Sequence, residues 1–559
     1  VNMELFTPNA SLMRQLATSF YKIKFKPKPK FLAALAIGGC CALIVSVPVA
    51  QALTAAAVTA AGPAAATAPP VNTPPPAPST APNANKNAEL TSTQSNQFRP
   101  LPNEDVLPDW YLAIKPEHST LGVIAWDLTH NRLLVSDNAR RAMLPASVQK
   151  LLLATAASHQ LGNEFQFKTR LYAKGMSPGR QSPAPDDKAN NKGKVDSLYL
   201  EFSGDPSLTQ AQLNALLAPL KGLGISSIGS LTLVGAKEAS TKARGWVWDD
   251  LGVCYAAPVS EFVIDENCIR AYLVPAKDGK SSQVRLPKSG AVTIDNALTL
   301  DIGASPDSCR PELEVTGDNH YRLYGCWHSP NSLPLSIAVS EPNAWARSKV
   351  TAAIGKLGIS IGSVSFANEV ASGAHLLSEH SSLPLPELVT KMLKESDNLI
   401  ADAFFKTLGK LENSSADFIG SSQAMETSLS ELGLELDHSR LLDGSGLSRY
   451  NLLSAQTLFN TLELIHDRPE LNSLIEALPI AAKDGTLAYR RGFGAPPLKD
   501  KVFAKTGSMQ GVANLAGFAT SKDSEIAFVV IENGLVEKAE GKTREPGFSA
   551  LFLKALLSR

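Results

Sequence analysis

Lys501-Val-Phe-Ala-Lys-Thr-Gly-Ser508, Gln510-Gly-Val-Ala-Asn-Leu-Ala-Gly-Phe-Ala519 and Glu525-Ile-Ala-Phe-Val-Val-Ile-Glu532 follow one another near the C-terminus. Each is rich in β-branched, aromatic and small apolar residues, and only short polar turns separate them, so they read as consecutive antiparallel strands. Gly507 has no side chain and leaves room for another backbone to come close. A peptide can then add to the sheet edge while Lys505, Thr506 and Ser508 meet its terminal carboxylate.

Two earlier strings complete a constellation. Leu385-Pro-Glu-Leu-Val-Thr-Lys-Met-Leu-Lys-Glu-Ser-Asp-Asn-Leu-Ile-Ala-Asp-Ala-Phe-Phe405 is apolar at helical spacing on both sides of Ser396-Asp397-Asn398, so one helix ends there and the next begins. Such a junction projects Ser396 and Asn398 into a cleft, although Ser, Asp and Asn also serve as plain caps. In Met143-Leu-Pro-Ala-Ser-Val-Gln-Lys-Leu-Leu-Leu-Ala-Thr-Ala-Ala157, Pro145 and Ser147 are helix-start signals ahead of a run suited to a buried helix. Lys150 falls on the same face as Ser147, one turn on. An uncharged amine there accepts the hydroxyl proton, and burial together with a second cation, Lys505, penalises its charged form.

Short patterns recur by chance, and this chain carries its own controls. Ser19 and Lys22 repeat the first spacing, while Ser136-Asp137-Asn138 and Ser329-Pro330-Asn331 repeat the second, all outside the required order. Order, spacing and local context separate the three strings from these copies.

In those strings, and in Lys394-Glu-Ser-Asp-Asn-Leu-Ile-Ala-Asp402, Asp443-Gly-Ser-Gly-Leu-Ser-Arg-Tyr-Asn451, Ala504-Lys-Thr-Gly-Ser-Met-Gln-Gly-Val512 and the segment from Cys254 to Cys268, the chain resembles the low-molecular-mass class C penicillin-binding proteins. These are D-alanyl-D-alanine carboxypeptidase/endopeptidases of the penicillin-binding protein 4 type. The likeness spans roughly residues 103 to 559. It implies an α+β penicilloyl-serine-transferase (β-lactamase/transpeptidase-like) catalytic domain, an antiparallel sheet with flanking helices. That domain is split, as residues 103–168 and 341–559, by strand-rich inserted domains over 169–340.

The same resemblance implies the roles. Ser147 attacks the carbonyl between two D-residues, with Lys150 as base and the backbone N–H groups of Ser147 and Ser508 around the oxyanion. Ser396 passes the proton to the leaving nitrogen, Asn398 orients Lys150 and the substrate amide, and Lys505 holds positive potential. Asp265 and Arg449 hold the two ends of a diaminopimelic acid side chain, assisted by Gln510. The expected ligands are peptidoglycan stem peptides and β-lactams, which acylate the same serine.

Rival classes lack their signatures. A class A β-lactamase needs Glu-x-x-x-Asn between the second and third strings, and a Ser-His-Asp esterase needs Gly-x-Ser-x-Gly; neither pattern is present. A β-lactam-acylated sensor without turnover needs nearly the same residues and stays open at this level.

Composition fits an exported enzyme. With 559 residues, 44% hydrophobic and a formal net charge of zero, the chain buries a large core and offers no basic surface to nucleic acid. Lys22, Lys24, Lys26, Lys28 and Lys30 precede an apolar run over 31–49 and Ala50-Gln51-Ala52, so residues 1–52 read as a signal peptide or a membrane anchor, with possible membrane association in the second case. Cys40, after Ile37-Gly38-Gly39, has too little apolar sequence before it for a lipoprotein site. Residues 53–102 are an Ala/Pro-rich tether, the folded part starts near Val106, and 175–194 is a polar loop. The location implied is the periplasm, and nothing in the sequence fixes an oligomeric state.

Cysteine usage agrees. Beyond Cys40 and Cys41, four remain, and Cys254 with Cys268 and Cys309 with Cys326 is the pairing that closes short local loops. No Cys-x-x-Cys occurs and His320 and His328 lie at no usual metal spacing, so neither metal nor other cofactor is implied.

Overall fold

The computed structural model describes residues 98–175, 193–236, 240–287, 291–306, 308–413, 417–536 and 546–559. The expected export segment, most of the tether and nearly all of the 175–194 loop lie outside these residues.

Both ends of the described chain build one five-stranded antiparallel sheet. Strands β1 (Thr120–Asp127) and β2 (Arg132–Asp137) join β15 (Val502–Met509), β16 (Val512–Thr520) and β17 (Glu525–Asn533) in the order β15-β16-β17-β1-β2. The alternation of a strand explains the near-continuous apolar run of β17, because the sheet is covered on both faces. Ala527, Val529 and Ile531 face the core shared with α1 (Lys150–Leu161), whereas Ile526, Phe528 and Val530 face the core of the C-terminal helix Phe548–Leu557. The α+β expectation, an antiparallel sheet with flanking helices, holds.

Helix α1 is sequestered: Lys150 through Ala157 are all buried. Around it pack apolar residues of α4 (Leu385–Glu395), α5 (Asn398–Asn413), α6 (Phe418–Glu431) and α7 (Ala455–Asp467).

Between the first and second strings lie three more sheets. β3 (Lys168–Lys174), β4 (Lys194–Glu201), β5 (Ser227–Val234), β13 (Ser360–Ala367) and β14 (His375–Ser381) form one, in the order β13-β5-β4-β3-β14. β6 (Cys268–Pro275) lies between β7 (Ser282–Arg285) and β12 (Leu333–Ala338) in the second. The third runs β10 (Pro311–Gly317), β11 (His320–Trp327), β8 (Thr293–Asn296), with the short β9 (Thr299–Leu300) beside β11. The longer helices among the described residues of this region are α2 (Gln210–Leu217) and α3 (Pro342–Lys356).

Two expected boundaries shift. β13 and β14 lie beyond residue 340 and complete the sheet of β3 to β5, so strand pairing carries the inserted region on to Ser381. Their alternation is largely polar, which hid them. At the other end structure starts before Val106: Arg99 pairs with Glu463 at 2.8 Å, Leu101 is buried and Phe98 packs on the core. Among the described residues the disulfides are Cys254–Cys268 and Cys309–Cys326.

Candidate active site

Ser147 sits in the tight turn Ala146–Gln149 that leads directly into α1. The turn is clamped to the sheet. Asn514 on β16 donates to the carbonyls of Leu144 and Pro145 at 2.9 and 2.7 Å, and Leu144 N–H donates to Asn533 Oδ1 at 2.8 Å. Gly507 does permit a close backbone approach, and the chain itself occupies it: a Cβ there would lie 2.8 Å from Pro145 O and 3.1 Å from Val148 N. Gly446 works the same way from the other side, since a Cβ on it would lie 2.1 Å from Ala146 O. Two glycines 61 residues apart thus press the serine turn between strand and loop.

The second string is a helix junction. α4 ends at Ser396 in the left-handed region (φ 60°), and Asp397 accepts from Ile400 N–H at 2.9 Å to cap α5. This geometry points Asn398 Oδ1 at Lys150 Nζ, 2.7 Å away, while Asn398 Nδ2 donates to Tyr255 O at 2.8 Å. Lys150 Nζ also lies 3.0 Å from Ser147 Oγ and 2.6 Å from Ser445 O.

Lys505 Nζ donates to Ser396 Oγ at 2.8 Å and to Thr506 O at 2.9 Å. On the same strand, Ala504 N–H points away from β16 to Pro479 O. Antiparallel pairing alternates, so the N–H groups of Thr506 and Ser508 point the same way, off the paired side of the strand. Thr506 Oγ1 donates to Thr486 Oγ1 at 2.8 Å.

Both lysines are fully buried. Burial pushes Lys150 down to about 8, against the pull of Asp402, Asp443 and Asp397. Lys505 goes well below the ordinary lysine range through burial, then through the charges of Lys150 and Arg490. Burial is the largest cause for both amines, and the repulsion between the two cations acts on each; among the described residues no carboxylate is a cause for Lys505, whereas three pull on Lys150.

Asp265 and Arg449 are not brought together. Asp265 accepts from Gln210 N–H at 2.9 Å at the start of α2 and pairs with Lys349 of α3 at 2.8 Å. Arg449 donates to Gln510 O at 2.9 Å, and the carboxylate that feels its charge is Asp250, which also accepts from Tyr255 Oη. Burial raises the Asp250 carboxyl. Asp250 lies just before Cys254, the first cysteine of the Cys254–Cys268 loop, and is the acid whose carboxylate feels the charge of Arg449. Also missed were Asp402, Asp443, Arg490 and Asn514. Asp402 carried a signal, being four residues after Asn398 and so on the same helical face.

A half-buried hydroxyl beside a buried, partly discharged amine, next to a strand edge with outward N–H groups, can perform acyl transfer through serine. The comparisons agree. The chain is 35% identical over 425 residues to D-alanyl-D-alanine carboxypeptidase DacB of Haemophilus influenzae, covering 75% of this chain and 86% of the relative. It is 29% identical over 443 residues to D-alanyl-D-alanine carboxypeptidase of Actinomadura sp., covering 75% and 78%. The crystal structure of penicillin binding protein 4 from Haemophilus influenzae superposes with a TM-score of 0.71 at 34% identity, covering 80% of this chain and 97% of that one, which establishes the penicilloyl-serine-transferase fold. The same protein complexed with a β-lactam superposes at 0.69, with 33% identity over 80% and 97%. Residues 109–554 match the family model, and the chain belongs to the D-Ala-D-Ala carboxypeptidase 3 (S13) family.

Proposed function

We propose that this chain is a serine D-Ala-D-Ala carboxypeptidase and D,D-endopeptidase acting on peptidoglycan stem peptides through an acyl-serine intermediate, and that β-lactams acylate the same serine. The observation that carries the reading is the set of three neighbours around Lys150 Nζ. Asn398 Oδ1 and Ser445 O can only accept. A neutral amine gives its two N–H bonds to them, and its lone pair is left facing Ser147, the one neighbour with a proton to donate.

Ser147 Oγ, freed of its proton, attacks the carbonyl of the D,D linkage. The oxyanion lies between the N–H groups of Ser147, at the start of α1, and Ser508, on the outward side of β15; one such donor is worth about 3 kcal/mol. Ser396, hydrogen-bonded to Lys505, hands a proton to the leaving nitrogen. Water then releases the acyl group. A tethered β-lactam leaving group blocks that step.

The terminal carboxylate is received at Lys505, Thr506 and Ser508, backed by Arg490. Asp250 and Arg449, with Gln510, face the side chain of the penultimate residue, and this pair replaces Asp265 in the reading. The strand-rich region from Lys168 to Ser381 contributes Tyr255 and Asp250 to the cleft wall, and the Cys254–Cys268 bridge fixes the turn that carries Tyr255. The basic and apolar N-terminal runs and the two disulfides support export to the periplasm, with cleavage or anchoring as the two fates of the leader.

Intact mass after exposure to a labelled penicillin tests the assignment. The parent gains one adduct and Ser147→Ala gains none, with D-alanine release falling by ~10⁴ or more. An adduct that survives the substitution removes Ser147 from the mechanism. Steady D-alanine release from a pentapeptide distinguishes an enzyme from a sensor, which gives one stoichiometric burst.

A further inference from the structure

The three carboxylates that pull on Lys150 differ in what holds them. Asp397 caps α5 through Ile400. Asp443 has both oxygens satisfied, by Gly446 and Ser448 N–H, Asn451 Nδ2 and Trp246 Nε1. Asp402 is unlike both. It is fully buried, its Oδ1 accepts from Gly444 and Ser445 N–H at 2.7 and 3.1 Å, and its Oδ2 has no hydrogen-bond partner among the described residues.

One residue whose N–H Asp402 holds, Ser445, carries the carbonyl that matters to the chemistry. Ser445 O accepts from Lys150 Nζ at 2.6 Å and lies 3.4 Å from Ser147 Oγ. The segment around it has no slack, since a Cβ on Gly444 would lie 2.7 Å from Phe405 Cβ and 2.9 Å from Ala401 O. On the other flank Gly446 abuts the serine turn. A shift of the Ser445 peptide would therefore displace amine and hydroxyl together.

We propose that Asp402 is a positioning residue for acyl transfer: through the Ser445 peptide it sets Lys150 Nζ against Ser147 Oγ, and its buried charge determines the pH at which Lys150 becomes a base. The inference rests on Lys150 being that base. Burial, then the neighbouring charge of Asp443, pushes the Asp402 carboxyl up to about 7, next to the value of about 8 for Lys150. An ionised Asp402 holds the proton on Lys150; a neutral one releases it. The other charged groups facing the pair are Asp443 from the loop after α6, Asp397 from the junction, and Lys505 from β15 with Arg490 beyond it.

The test is the rate of acylation by a chromogenic cephalosporin against pH, on the full chain. Asp402→Asn keeps an oxygen for the two N–H groups and removes the charge. Its acid limb moves to lower pH by about one unit or more, and Asp402→Glu moves it back towards the parent. An acid limb that stays in place, with amplitude alone reduced, overturns the proposal and assigns Asp402 a purely structural role. Should the Asn variant not fold, lysine labelled with ¹³C at Cε gives the answer in the parent: Lys150 shows two titration steps, and a single step overturns the proposal. Failure of the broader reading looks different, because then the Ser147→Ala protein still takes up the adduct.

Discussion

Lys150 and Lys505 are both wholly buried, and their surroundings are opposites. The helical side of the cleft gives Lys150 carboxylates: Asp402 on α5, Asp443 in the loop after α6 and Asp397 at the junction. Lys505, on the sheet side, meets cations instead, Lys150 across the cleft and Arg490. Burial alone would discharge both amines; the neighbours decide by how much. Lys150 is left near 8, where a group is both often neutral and still basic enough to take a serine proton. Lys505 is left short of a counter-charge until one arrives. In the proposed function a substrate or penicillin carboxylate supplies it, so the sheet side would be completed by ligand, whereas the helical side carries its counter-charges within the chain.

The strongest way to break this contrast is Lys150→Arg. Arginine keeps positive charge and donors but does not give up a proton near neutrality. Acylation by a chromogenic cephalosporin falls by ~10³ to 10⁴, the upper part of the range for a lost general base. In the parent, the sign of the pH dependence follows from the lowered amine: acylation rises with pH as Lys150 loses its proton and levels off above about 8. A Lys150→Arg rate within tenfold of the parent would show that the proton goes elsewhere. Asn398→Ala comes next, at ~10² in the acylation rate, because the amine loses one of two acceptors that turn its lone pair towards Ser147. Normal rates in that variant would detach orientation from the account.

On the sheet side the expected effect is smaller and depends on the ligand. Lys505→Met slows acylation by ~10-fold more for a β-lactam bearing its carboxylate than for the same compound esterified. Binding of the carboxylate form to a Ser147→Ala protein also takes up protons, since a negative charge restores the charged form of Lys505. Calorimetry in buffers of different ionisation enthalpy measures this uptake. Equal penalties for acid and ester, or proton release, would place the carboxylate away from Lys505.

The contrast also explains what sequence could disclose. The three strings and the last three strands of the first sheet were legible because each is local: a helix start, a helix junction and apolar runs broken by turns. The acid–cation division is not local. Asp443 and Lys150 are far apart along the chain and meet only because Gly444 and Gly446 pack against α5 and the serine turn. Asp402 was within reach through its spacing from Asn398, yet the same spacing describes any solvated acid on a helix. Asp265 misled for a related reason: the acid was carried over from the resemblance alone, while the fold turns Asp265 to Lys349 and leaves Asp250 to Arg449. β13 and β14, polar on alternate residues and half exposed, had too little apolar pattern to be assigned to the inserted sheet.

Arg490 offers the smallest and sharpest test. It follows the Gly485–Leu487 turn, whose Thr486 meets Thr506, and that segment is tied to the second string by the 2.6 Å pair of Asp484 with Lys394. Its charge reaches Lys505 on one side and Glu532 of β17 on the other. Arg490→Met removes a cation that repels a proton from Lys505, so Lys505 carries more charge in the free protein. Binding a carboxylate then takes up fewer protons than in the parent, and affinity for the carboxylate form weakens by about threefold, on the order of 0.6 kcal/mol. A cation that contacted the ligand directly would lose more affinity and leave Lys505 titrating as before. Proton uptake that is unchanged or larger in Arg490→Met would therefore mean that the sheet side does not work as a field of mutually repelling cations, and Lys505 would have to be treated as an ordinary buried hydrogen-bond donor.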